Sequence, residues 1–105
     1  MKMNALLMCF GIPSRTFNSI EWQERPYRRK YYVKHIIDSD MAIGKTKDEI
    51  LELFGFDRKV YVNGVWSYEI PNTSILQAPR FLTFYFNEDG RVEKVRIRVR
   101  QRAKS

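Results

Sequence analysis

The residue types able to do chemistry are few and scattered along the chain. His35 is the only histidine and Cys9 the only cysteine. A cysteine and a histidine can serve as nucleophile and base when their side chains are held within hydrogen-bond reach. Cys9 lies in a terminus expected to be mobile, so that pairing is rejected. His35, beside Ile36 and with no carboxylate or cysteine near it in sequence, reads as a surface or half-buried structural residue. One cysteine can form no intramolecular disulfide, and no Cys/His cluster has metal-ligand spacing. Asp38/Asp40 and Glu88/Asp89 are acidic pairs, but they fall in a helix exit and a turn. Acid/base work needs an enclosed setting that drives two pKa values apart. Gly44-Lys45-Thr46 echoes the end of a phosphate-binding loop, yet Ser39 stands where its upstream glycine belongs and no strand runs into it. The residues predict neither a catalytic group nor a metal or cofactor.

Charge carries the stronger signal. The chain has 19 Lys/Arg and 12 Asp/Glu, a net charge of +7 over 105 residues. From Arg91 to the end there are seven basic residues and one acid, Glu93, so that stretch carries +6 and the rest only +1. Within it Lys94, Arg96, Arg98 and Arg100 alternate with Val95, Ile97 and Val99. On a strand such alternation makes one greasy face and one cationic face, with the cations in a row about 7 Å apart. That row is the candidate binding site. It suits an anionic protein, lipid headgroups, or the phosphates of a nucleic acid, with Phe81, Thr83 and Tyr85, or else Leu82, Phe84 and Phe86, sharing its sheet surface. The competing explanation is a solvated face whose charge discourages edge-to-edge aggregation.

The elements that must hold this row can be read in order. Residues 1–24 read as an irregular arm anchored by Phe17, Ile20 and Trp22, and residues 25–105 as one α+β domain. A first helix is expected over about 26–38, opened by Pro26, with Tyr32, Val33, Ile36 and Ile37 at helical spacing. A second begins at Thr46, whose hydroxyl and Glu49 make a capping box, and ends at Gly55 in the left-handed conformation. From Lys59 the period becomes two. Val60–Val62 and Val65–Tyr68 flank Asn63-Gly64, which predicts a tight hairpin placing Tyr61 opposite Trp66, on the face of Tyr68 and Ile70. Strands at 81–86 and 92–100 follow, joined by Asn87–Gly90. The predicted fold is two short helices packed on one face of a three- to four-stranded antiparallel sheet.

The order Ile43–Ile50, Leu53-Phe54-Gly55, Trp66 and Tyr68, then Phe84–Val92 resembles the SmpA/OmlA (BamE-like) family of small lipoprotein domains. That family's fold is similar to that of β-lactamase-inhibitor-protein repeats. The likeness spans roughly residues 43–99, and it departs at Lys45, where the family often has Met. It implies a cell-envelope location and a non-catalytic interaction role, with another protein or an anionic membrane surface as partner. Leu6-Leu7-Met8-Cys9 stands where a lipobox would be, making Cys9 a candidate lipidation site, although the apolar run is short and Met8 is bulky. A nucleic-acid binder using the basic strand, located in the cytoplasm, is the alternative.

Overall fold

The computed structural model describes residues 14–71 and 78–99. Cys9, Arg100 and residues 72–77, expected from sequence to form a loop, lie outside them. Helices come first, then a four-stranded antiparallel sheet, the expected α+β arrangement.

The first element corrects the sequence reading. Residues Ser19–Glu24, expected to be irregular, form a helix (α1) whose start is capped by the Asn18 side chain, which accepts from the Glu21 amide at 2.9 Å. Six residues are too few to display a helical period, and a helix this short stands only on its packing. Trp22 is fully buried, its ring 5.3 Å edge-on to Phe54, while Phe17 lies 4.8 Å from the same Phe54 ring. Of the three expected anchors, Ile20 is the exception, being exposed.

The expected single helix over 26–38 is two pieces. Pro26–Tyr31 wind as a 3-10 helix, and after Tyr32 the chain continues as α2, Val33–Ser39. Tyr32 and Ile36 are buried, with Val33 and Ile37 packed beside them, so the apolar spacing was informative. What it did not show is Arg29, which turns inward and is fully buried. Its Nε donates to the Trp22 carbonyl at 2.8 Å and its Nη1 to the Glu69 carbonyl at 2.9 Å. α2 ends at Asp40, the one non-glycine residue with positive φ (56°) among the described residues.

α3, Lys47–Phe54, has the predicted capping box. The Glu49 amide donates to Thr46 Oγ1 at 3.2 Å, and the Thr46 amide donates to the Glu49 carboxylate at 2.9 Å. Its other end is closed by α1: Ser19 Oγ donates to the Leu53 carbonyl at 2.6 Å, and Gln23 Nε2 to the Glu52 carbonyl at 3.0 Å. These side chains satisfy carbonyls that a helix end leaves without partners. Gly55 stops the helix as expected, but at φ 92°, ψ 177°, outside the left-handed helical region. Such extended, positive-φ backbone is essentially confined to glycine.

The strands β1 (Lys59–Val60), β2 (Trp66–Ile70), β3 (Arg80–Phe86) and β4 (Val92–Val99) lie in sequence order. In the first hairpin Val60, not Tyr61, pairs with Trp66. The Gly64 amide donates to the Tyr61 carbonyl at 2.8 Å and the Tyr61 amide to the Val65 carbonyl at 2.9 Å. The connection is therefore a three-residue loop with Gly64 (φ 87°) as its positive-φ residue, not the two-residue turn that Asn-Gly suggests. The one-residue difference sends Tyr61 away from Trp66, Tyr68 and Ile70, which remain buried.

The helices cover the sheet face carrying Tyr68, Ile70, Leu82, Phe84, Val92 and Val95, all buried. Phe54 links the layers, 5.0 Å from Phe84 and 5.7 Å from Tyr68. Between β3 and β4 the register shifts at Tyr85/Phe86: Tyr85 faces Lys94 but Phe86 faces Val92, leaving Glu93 as the extra residue of a bulge. The bulge lets Val92 and Val95, three positions apart, both point inward.

Candidate binding face of the sheet

The opposite face of the sheet is uncovered among the described residues, and strand pairing fixes which side chains share it. Lys59 pairs with Ser67, Ser67 with Thr83, and Thr83 with Arg96, so these four form one rung across all the strands. On one side of it Tyr85 pairs with Lys94; on the other, Phe81 lies between Glu69 and Arg98. Of the two aromatic sets considered from sequence, Phe81 and Tyr85 accompany the cations. Leu82 and Phe84 are in the core, and Phe86 packs 4.9 Å from Trp66 beneath it.

The expected cationic row is present as Lys94, Arg96 and Arg98, all exposed. Its greasy counterpart fades along the strand: Val95 is buried, Ile97 half-buried and Val99 exposed. Lys59, which sequence reasoning did not single out, adds a cation at the far end of the middle rung. Alternation from Tyr61 in the expected register would have put it on the inner face, and only the observed pairing with Ser67 brings it here.

Between Phe81 and Tyr85 the small residues Ser67 and Thr83 form a low floor. Their hydroxyls bond to each other at 3.1 Å and are buried by larger neighbours. One hydrogen serves that bond, so the pair retains a second O–H for another acceptor. The floor belongs to a groove of about 630 Å³ whose rim includes Lys59, Tyr61, Phe81, Tyr85 and Arg98. This is within the size range of ligand sites.

Arg98 is the arginine of the groove. Its Nη1 donates to the Tyr85 hydroxyl at 2.6 Å, which draws the guanidinium from its own pairing position at Phe81 toward Tyr85. Lys94 Nζ rests 4.8 Å from the centroid of the Tyr85 ring. Arg96 Nη1 donates to the Val95 carbonyl at 2.8 Å. No Asp or Glu lies within ion-pair distance of Lys59, Lys94, Arg96 or Arg98 among the described residues; the ion pairs there are Arg28–Glu21, Arg29–Asp57 and Lys34–Asp38. A guanidinium held by a neutral acceptor keeps its charge and most of its N–H groups available for an anion.

The other candidate groups lie away from this face. His35 Nδ1 accepts the Phe17 amide at 3.0 Å, so its ring fastens the segment before α1. No group of His, Cys, Asp or Glu among the described residues is arranged to hold a metal ion, and no described helix is long and apolar enough to cross a membrane. Gly44-Lys45-Thr46 is occupied in structure, with the Gly44 amide bonded to the Val92 carbonyl at 2.8 Å. No family model, curated protein or solved structure matches the chain.

Proposed function

We propose that this protein is a non-catalytic binding module of the cell envelope that engages an anionic partner, a protein or a membrane surface, through the uncovered face of its sheet. The observation that carries this reading is the Arg98 guanidinium, fixed by Tyr85 in a groove without a neutralising carboxylate. Fixing it in advance reduces the side-chain entropy that binding would otherwise cost. The groove is lined by cations, hydroxyls and aromatic rings, with no carboxylate, imidazole or thiol among its described residues to serve as base or nucleophile. The envelope part rests on the likeness of motif order to SmpA/OmlA domains and on the lipobox-like Leu6–Cys9.

A second reading, single-stranded nucleic acid, is favoured by Phe81 on the same face as the cations, since a base can stack on a ring while arginines hold phosphates.

The test is retention of poly-glutamate and of a thymidine oligomer by the purified protein over a salt series, beside the double variant Arg96→Ala/Arg98→Ala. Salt-dependent binding of either probe that the variant loses supports the face as the site. No binding at low salt, or binding the variant keeps, refutes it. Fractionation with a palmitate analogue tests location: membrane-bound label lost in Cys9→Ala supports the envelope, and an unlabelled cytoplasmic protein opposes it.

A further inference from the structure

β4 has a neighbouring strand on one side only. On its other side, among the described residues, the backbone is met only at the start of the strand. Thr46 bridges Arg91, the Gly44 amide donates to the Val92 carbonyl, and the Val92 amide donates to the Lys45 carbonyl at 2.9 Å. Further along, the Val95 carbonyl takes a donor from the Arg96 side chain, a side chain serving an acceptor that a strand would otherwise serve. An edge of unpaired N–H and C=O groups is a template for another strand.

We propose that β4 accepts an extended segment of an acidic partner protein as a fifth strand, with carboxylates at alternate positions facing Lys94, Arg96 and Arg98. This rests on the anionic-partner reading and specifies its mode. Two observations select the occupant. First, side chains on one face of an added strand repeat every ~7 Å, the spacing of the cations on β4, so alternate acids fall opposite them in cross-strand pairs. Second, Lys94 already covers the Tyr85 ring, and Arg98 holds its hydroxyl, so of the two aromatics on the face Tyr85 is not free to stack on a base. A carboxylate needs no ring face, and the remaining N–H groups of Lys94 and Arg98 can donate to it.

The probe is a fluorescent peptide of about ten residues, roughly the upper length of a natural strand, alternating Glu and Thr. It is accompanied by two versions N-methylated at odd or at even positions. In an added strand alternate amides point toward the host, so only one of the two methylated versions should lose affinity, by about tenfold or more. Arg96→Ala and Arg98→Ala should weaken all three. Equal binding of both methylated peptides overturns strand addition while leaving the anionic-partner reading in place. Binding of a thymidine oligomer but not the peptide overturns it in favour of nucleic acid. Binding of neither refutes both readings.

Discussion

Arg29 and Trp22 form a single unit: the guanidinium lies 5.0 Å from the indole ring, and its Nε donates to the Trp22 backbone carbonyl at 2.8 Å. With the second bond to the Glu69 carbonyl, one buried cation ties α1 to β2. Its charged partner, Asp57, is 3.8 Å away but exposed, so the ion pair contributes little beside the hydrogen bonds.

Replacing Arg29 by Ala should therefore destabilise the fold by about 3–5 kcal/mol, because the buried Trp22 carbonyl and the part-buried Glu69 carbonyl lose their donors and a cavity opens. Asp57→Ala should cost less than about 1 kcal/mol. Denaturant titration of both variants checks the contrast; equal losses would mean that the ion pair dominates.

Trp66 is 5% exposed, with Arg58 stacked 4.2 Å from its ring centroid and Phe86 edge-on at 4.9 Å. Trp66→Ala should cost about 3–5 kcal/mol in the same titration. A loss below about 1 kcal/mol would show that the face assignment of β2 is inverted.

The pH profile should fall on both sides of neutrality. Burial pushes the Tyr68 phenol well above its ordinary value, and the Tyr32 phenol is raised by its hydrogen bond to the Glu21 carboxylate. Both keep their protons in the folded protein when unfolded tyrosines ionise, near pH ~10, so stability drops as pH climbs past that value. Glu21 is lowered by the Tyr32 bond and Glu49 by the Thr46 amide, so their contribution is present above the ordinary carboxylate range and is lost as pH falls through the folded values. Thermal unfolding across pH reads both limbs. Tyr68→Phe should shallow the alkaline limb, and an unchanged limb would mean Tyr68 is not its source.

His35→Phe removes the acceptor of the Phe17 amide while keeping ring volume. Stability should fall by about 0.5–1.5 kcal/mol, and the Phe17 amide should exchange with solvent deuterium faster. Unchanged exchange at that amide would show that the imidazole does not fasten the segment.

The elements legible in the sequence were those whose signals are local and redundant. Thr46, Glu49 and Gly55 each mark α3 independently, and the alternation from Val95 onward marks β4. The hairpin was placed correctly but misread in length, because a two-residue turn and a three-residue loop can both end in Asn-Gly. α1 carried a readable cap in Asn18 but too few residues to show a period. Arg29 was hidden among Arg25, Arg28 and Lys30, since only Trp22 and Glu69, brought in from two other elements, distinguish it from a surface cation. At the candidate site the cationic column was visible, whereas the Ser67–Thr83 floor and Lys59 depend on pairing across three strands.

The bulge at Glu93 has a consequence for tolerance to length change. It uncouples the phase of the Asn87–Gly90 turn from the phase of the strand that follows, because one spare residue is stored between them. Deleting Glu93 would leave Val92, Lys94 and Val95 in simple alternation, with the same inward and outward sets. Deleting Arg96 would instead bring Val95 and Ile97 into adjacent positions and turn Arg98 toward Leu82 and the core. The same loss of one residue is thus slack in the first place and an exchange of faces in the second.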